Sequence, residues 1–84
     1  MFYDAISVTY VRDYILEVVF KDGGRGLADF SDIKHTGVFE RFADIDYFRK
    51  VYLADGVLTW PPGDIDIAPE TVYSKATGKM EIFV

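Results

Sequence analysis

Apolar and polar residues alternate along the first third of the chain in a pattern that predicts three short β-strands. The runs are Ala5 to Val11, Tyr14 to Phe20 and Arg25 to Phe30. Strict alternation is typical of a strand with one buried face. The expected buried positions are Ile6, Val8 and Tyr10 in the first strand, and Tyr14, Leu16, Val18 and Phe20, set around Glu17, in the second.

Short turn signals separate these strands. Arg12-Asp13 forms a two-residue break, and Lys21-Asp22-Gly23-Gly24 is a stronger signal because glycine adopts positive φ at little cost. Two-residue connections between alternating runs favour antiparallel pairing. The sequence therefore predicts an antiparallel meander.

The middle of the chain predicts a helix and a second hairpin. The helix is expected from about Thr36 to Phe42 or Ala43. Tyr47 to Ala54 is interpreted as a strand, Asp55-Gly56 as a hairpin turn, and Val57 to Trp60 as the returning strand.

A proline-rich corner then leads to a closing helix. Pro61-Pro62-Gly63 ends the strand, because proline cannot donate to a β-ladder. Pro69 and Glu70 suit the first turn of a helix that ends near Gly78. Met80 to Val84 is either a frayed tail or a short final strand.

Together these elements predict one α+β domain over residues 1–84, in the order β-β-β-α-β-β-α. The expected architecture is a single antiparallel-rich sheet with two helices packed on one face, which buries every apolar stripe. An apolar content of 50% is sufficient for one packed core, whereas two cores would need a longer chain.

Composition excludes several classes of function. The chain has no cysteine, so disulfides, thiolate catalysis and the usual zinc sites are ruled out. It has no apolar run long enough for a membrane span, and its N-terminus lacks the features of a signal peptide. We therefore expect a cytoplasmic protein with no membrane association.

The net charge of −5 disfavours nucleic acid as a direct partner. Binding to phosphates depends on clustered cations, and the nine Lys and Arg residues are scattered along the chain. An acidic surface can instead steer a basic protein partner, although it also serves solubility.

Candidate catalytic and metal-binding residues have simpler structural interpretations. His35 is the only histidine and has no motif beside it, so we interpret it as an exposed loop residue. The pairs Asp44/Asp46 and Asp64/Asp66 have D-x-D spacing but lack the other ligands of a calcium loop. We expect turns and caps there, and therefore no catalytic residues, no metal site and no cofactor.

The tyrosines and the single tryptophan are more numerous than one small core needs. Such side chains combine a large contact area with a polar tip and are common at protein interfaces. A sheet covered on one face also leaves a second face and its edges open. Half-buried core tyrosines are the structural alternative; a small protein partner or a homodimer is the functional one.

Three groups of residues resemble the small bacterial family known as domain of unknown function 2442. They are Phe20-x-Asp22-Gly23 with Asp29, Gly37-x-Phe39 followed by Phe48-x-x-Val51, and Trp60-Pro61-x-Gly63 followed by Asp66-Ile67-x-Pro69-Glu70 and Tyr73. The last group is the most specific. Ala68 departs from it, because a polar residue there would cap the helix better, and Asp66 is expected to assist the helix start instead.

The resemblance implies a compact α+β domain with no established catalytic residues. It also implies a gene next to that of another very small protein, in a pairing similar to a toxin–antitoxin module with this family as the antitoxin. The candidate interaction or signature residues are Trp60, Asp64, Asp66, Pro69 and Tyr73.

Three functions follow from the sequence. The first is a non-enzymatic binding module that docks a small partner protein. The second is a sensory or ligand-binding domain that acts with a separate DNA-binding regulator. The third is an enzyme that uses the carboxylates of Asp64 and Asp66 with a metal ion.

Overall fold

The computed structural model describes residues 3–78 and confirms an α+β fold. Its elements, in chain order, are β1 (Ala5–Arg12), β2 (Ile15–Phe20), β3 (Arg25–Asp29), a 3-10 helix (Gly37–Ala43), α1 (Ile45–Phe48), β4 (Tyr52–Ala54), β5 (Val57–Trp60), β6 (Ile65–Ile67) and α2 (Pro69–Thr77). The alternatives for Met80 to Val84 lie outside the described residues.

The predicted N-terminal meander is confirmed as an antiparallel sheet in the order β1-β2-β3. Leu16, Val18 and Phe20 of β2 are all buried on its inner face, as the alternation predicts. The prediction for Ile6 is wrong. This residue lies at a register shift between Ala5 and Ser7 and is 62% exposed, because a bulge interrupts the strict alternation of a strand.

The turn between β1 and β2 lies one residue later than expected. Asp13 has φ of 46°, and its short polar side chain tolerates this left-handed conformation better than most residues. Arg12 extends β1 and pairs with Ile15. The two turn residues are therefore Asp13 and Tyr14.

The prediction of a single sheet is wrong, because β4, β5 and β6 form a second antiparallel sheet of three strands. The Asp55-Gly56 hairpin turn is confirmed, with φ of 51° and 82°, the left-handed values that a two-residue turn of this kind requires. The additional strand is β6. Its sequence, Ile65-Asp66-Ile67, alternates over only three residues, too few to distinguish a strand from a loop.

The expected strand from Tyr47 to Ala54 is also wrong in its first half. Residues Ile45–Phe48 form α1, and the strand is limited to Tyr52–Ala54. The Asp44 side chain accepts a hydrogen bond from the Asp46 N–H at 3.0 Å, which caps the helix and favours it over an extended chain. The helix expected before this point is a 3-10 helix over Gly37–Ala43.

Helix α2 lies against β3 at a very short distance. A side chain at Gly26 would overlap the carbonyl oxygen of Ala76, so only glycine permits this approach. Pro69 occupies the first turn and Gly78 caps the end with φ of 73°, as expected for these two residue types. Val72 of α2 is 1% exposed and joins the core.

Both sheets and all three helices contribute to one core. Its largest fully buried side chains are Trp60, Phe20, Phe30, Phe42, Phe48, Leu16 and Leu58. Within residues 3–78, no helix is long and apolar enough to cross a membrane.

Candidate functional site

Trp60 lies in the centre of the core. Its side chain is 0% exposed, and its indole Nε1–H donates a 2.8 Å hydrogen bond to the carbonyl oxygen of Phe48. The ring also contacts Phe42, with centroids 4.7 Å apart, and Phe48, at 5.7 Å. A residue buried this completely cannot touch a partner, so the role of Trp60 is to stabilise the fold.

The proline corner that follows Trp60 is held by two hydrogen bonds. The Tyr47 hydroxyl donates to the carbonyl oxygen of Pro61 at 2.6 Å, and the Gly63 N–H donates to the Trp60 carbonyl at 2.8 Å. The Pro61-Pro62 peptide bond is cis. These contacts connect the corner to α1 and direct the chain into β6.

Asp64 lies on the surface beside a shallow polar depression. Its carboxylate is 3.7 Å from a guanidinium nitrogen of Arg41, and the depression, about 250 Å³ in volume, is lined by Gly37, Glu40, Arg41, Asp64 and Ile65. The Tyr47 side chain and then Asp64 raise the pKa of Arg41, because both stabilise the charged guanidinium. A small polar ligand could contact this ion pair.

The other D-x-D carboxylates make local contacts. Asp44 caps α1, and Asp46 lies 3.9 Å from Arg49 on the same short segment. Asp66 is exposed in the middle of β6, so it does not cap α2, whose start at Ala68 has no side-chain cap. Among the described residues, no cluster of three His, Cys, Asp or Glu side chains could hold a metal ion.

Tyr73 lies on α2, where it connects the helix to the turn between β2 and β3. Its hydroxyl donates a 2.9 Å hydrogen bond to the Asp22 carboxylate, and its ring packs edge-on against Phe20 at 4.9 Å. The bond to Asp22 raises the pKa of Tyr73, because the carboxylate accepts a hydrogen bond from the protonated phenol and disfavours a second negative charge beside it. Tyr73 therefore helps to fasten α2 to the sheet.

His35 is not the exposed loop residue that its polar neighbours suggest. It is half-buried, and its ring lies 5.3 Å from that of Tyr14. Tyr14 in turn donates a 2.6 Å hydrogen bond to the carbonyl oxygen of Phe42. This aromatic contact covers one edge of the core.

The five signature residues therefore do not form one site. Trp60, Pro69 and Tyr73 support the fold in different places, while Asp64 and Asp66 lie on the surface in a loop and in a strand. The sequence predicts that a sheet covered on one face leaves its second face open, and in the structure this is the outer face of the N-terminal sheet.

The outer face presents three cross-strand rows that point away from the core. The rows are Ser7–Val19–Arg25, Thr9–Glu17–Leu27 and Arg12–Ile15–Asp29. Leu27 is 54% exposed, and the half-buried Ile15 and Val19 do not pack against the core. The signal in the sequence was the apolar residues on both faces of β2, which alternation alone does not explain.

Comparison with known proteins identifies a family but no activity. The family model described as protein of unknown function (DUF2442) matches residues 5–78. Comparison with curated proteins and with solved structures gives no match.

Proposed function

This chain belongs to the family described as protein of unknown function (DUF2442), and we propose that it is a non-enzymatic module that docks a small partner protein. The observation that carries this proposal is the outer face. It exposes the apolar side chain of Leu27 on a sheet whose inner face packs against the core. On this face Leu27, Ile15 and Val19 lie among polar side chains, and non-obligate protein interfaces mix apolar and polar residues in this way.

The proposed partner is the small protein encoded beside this gene, in an antitoxin-like arrangement in the cytoplasm. The gene pairing implied by the family resemblance and the net charge of −5 support it, because an acidic domain attracts a basic partner and repels nucleic acid. A homodimer through the same surface is the alternative partner.

Co-expression of the two proteins followed by size-exclusion chromatography tests this proposal. We expect one peak that contains both chains at micromolar concentration. Separate elution of the two proteins would contradict partner docking. Light scattering on the isolated chain distinguishes a monomer from a homodimer.

The depression at Arg41 and Asp64 favours a second candidate, a sensory domain that binds a small polar ligand and acts with a separate DNA-binding regulator. The volume of this depression, about 250 Å³, lies just below the usual range of ligand pockets. Thermal denaturation with a panel of amino acids and small carboxylic acids tests it. A rise in Tm that disappears in Arg41→Ala would support this candidate.

A carboxylate-dependent enzyme has the least support. Asp64 is paired with Arg41, and Asp66 occupies an exposed strand position, whereas carboxylates that work together at a metal or a substrate must converge on it. Thermal denaturation with Mg²⁺, Mn²⁺ and Ca²⁺ tests this function. An increase in Tm that is absent in Asp64→Asn would support the carboxylate-dependent enzyme.

A further inference from the structure

The chain contains two Asp-Gly pairs, Asp22-Gly23 and Asp55-Gly56, and each lies in the turn between two strands. In such a pair the amide nitrogen of the glycine can attack the side-chain carboxyl carbon of the aspartate. Glycine favours this attack because it has no side chain to obstruct it and its backbone rotates freely. Both aspartates are exposed, so exposure does not distinguish the two pairs.

Hydrogen bonds hold both reacting groups of the first pair. The Asp22 carboxylate accepts bonds from the Gly24 N–H at 2.8 Å and from the Tyr73 hydroxyl at 2.9 Å. The Gly23 N–H donates to the carbonyl oxygen of Phe20 at 3.0 Å. The nitrogen and the carboxyl carbon therefore meet only after these bonds have opened, which raises the barrier to attack.

The reacting groups of the second pair are not held in this way. Within residues 3–78, the Asp55 carboxylate accepts no hydrogen bond and forms no ion pair, and the Gly56 N–H donates no hydrogen bond. Both residues lie beyond the end of the β-ladder, whose last pair is Ala54 and Val57. The attack has fewer contacts to break in this turn than in the first.

The fold also requires the glycine that makes the second pair reactive. Gly56 has φ of 82°, a conformation that residues with side chains rarely adopt. A Cβ at this position would lie 2.8 Å from the Cβ of Asp4. A larger residue, which would slow the attack, does not fit here.

We infer that Asp55 is a site of spontaneous isomerisation to isoaspartate, and that its hydrogen bonds protect Asp22 from the same reaction. The Gly56 nitrogen bonds to the side-chain carboxyl carbon of Asp55, and water leaves with the carboxyl hydroxyl and the amide hydrogen. The cyclic imide then takes up water. Cleavage between the nitrogen and the side-chain carbonyl carbon regenerates aspartate, whereas cleavage between the nitrogen and the main-chain carbonyl carbon gives isoaspartate.

The product loosens the contact between β1 and the second sheet. Isoaspartate routes the main chain through the Cβ of Asp55 and so lengthens the turn by one atom. The Gly56 carbonyl oxygen accepts a 2.9 Å hydrogen bond from the Ala5 N–H at the start of β1, and a longer turn displaces this acceptor. The inference is independent of the proposed partner docking.

Incubation of the folded chain at neutral pH and physiological temperature tests the inference. Peptide mapping with electron-transfer fragmentation distinguishes isoaspartate from aspartate at each position. We expect isoaspartate to form at Asp55 at least about tenfold faster than at Asp22, because the bonds of Asp22 must open first. Equal rates at the two positions in the folded chain would overturn the inference.

The same chain unfolded in urea is the matched control. We expect the two pairs to react there at rates within about threefold of each other, because both aspartates precede glycine and the fold no longer separates them. Reaction at Asp55 that occurred only in the unfolded chain would also overturn the inference.

Two variants test the two halves of the inference, with circular dichroism to confirm that each is folded. Asp55→Asn forms the same imide with loss of ammonia, and should react at least about tenfold faster than wild type, because its amide is neutral whereas the carboxylate must first take up a proton. An amide that stayed intact would show that the Gly56 nitrogen cannot attack. Tyr73→Phe should raise the rate at Asp22 severalfold and leave that at Asp55 unchanged. An unchanged rate at Asp22 would contradict its protection by Tyr73.

Hydrogen exchange tests the structural consequence. The isoaspartate form, separated by ion-exchange chromatography, should exchange the Ala5 amide hydrogen faster than the unmodified chain, because the Gly56 acceptor has moved. Equal exchange in the two forms would contradict the loosening of β1.

Discussion

The indole N–H of Trp60 donates its hydrogen bond to the carbonyl oxygen of Phe48 across 2.8 Å. Phe48 is the last residue of α1, and Trp60 is the last residue of β5. The bond therefore joins the second sheet to the helical segment that precedes it. It also satisfies a donor in a core where an unpaired polar atom would be costly.

Truncation of Trp60 should damage folding before it damages binding. We expect Trp60→Ala to lower the free energy of unfolding by about 3–5 kcal/mol, and Trp60→Phe by about 1–3 kcal/mol, because it leaves the Phe48 carbonyl without its donor. Urea unfolding followed by circular dichroism measures both. Tyr52→Ala is the control, since Tyr52 is 39% exposed. A Trp60→Ala variant of native stability that lost partner binding would contradict this role.

The close approach of β3 and α2 gives a second prediction. A Cβ at Gly26 would overlap the Ala76 carbonyl oxygen, so Gly26→Ala forces the helix away from the sheet at a cost of about 1–3 kcal/mol. Gly24→Ala is the matched control. Its Cβ would meet the Asp22 and Tyr73 side chains at 3.0 and 3.4 Å, and side chains move more easily than backbone. Equal unfolding midpoints for the two variants would refute this explanation.

Much of the fold could be predicted from local pattern. The first three strands and the Asp55-Gly56 turn were correct, because alternation and positive-φ residues are local signals. Helix α2 was also correct, since Pro69 and Gly78 mark its two ends. The resemblance carried by the Trp60 to Tyr73 segment was confirmed by the family match.

The remaining features depend on contacts that a short stretch of the sequence does not contain. α1 was missed because Tyr47 and Phe48 favour strands by propensity, whereas the Asp44 cap and the burial of Phe48 under Trp60 favour a helix. The sequence predicted that one face of the sheet stays open, but not which residues line it, because the bulges in β1 and the exposure of Leu27 are visible only in the structure.

The ion pair between Lys75 and Asp32 fastens α2 to the loop after β3. The Lys75 ammonium donates to both Asp32 oxygens, at 2.6 and 2.8 Å, and lies 5.6 Å from the Phe30 ring centroid. We expect Lys75→Met and Asp32→Asn each to lower the free energy of unfolding by about 0.5–1 kcal/mol, because Asp32 is largely exposed. A double-mutant cycle in urea measures the coupling. A coupling that did not weaken in high salt would contradict an electrostatic cause.

The bond from Tyr73 to Asp22 predicts a loss of stability at high pH. Because this contact raises the pKa of Tyr73 in the folded state, the native protein holds the phenolic proton more tightly than the unfolded chain does. The resulting stabilisation is complete below the ordinary pKa of 10.0 and is lost as the pH rises through the folded-state pKa. Urea unfolding across this range should show wild type and Tyr73→Phe converging at high pH, whereas a constant difference between them would contradict the linkage. Asp22→Asn, which removes the charge but keeps an acceptor oxygen, should lower the Tyr73 pKa towards its ordinary value in an ultraviolet titration.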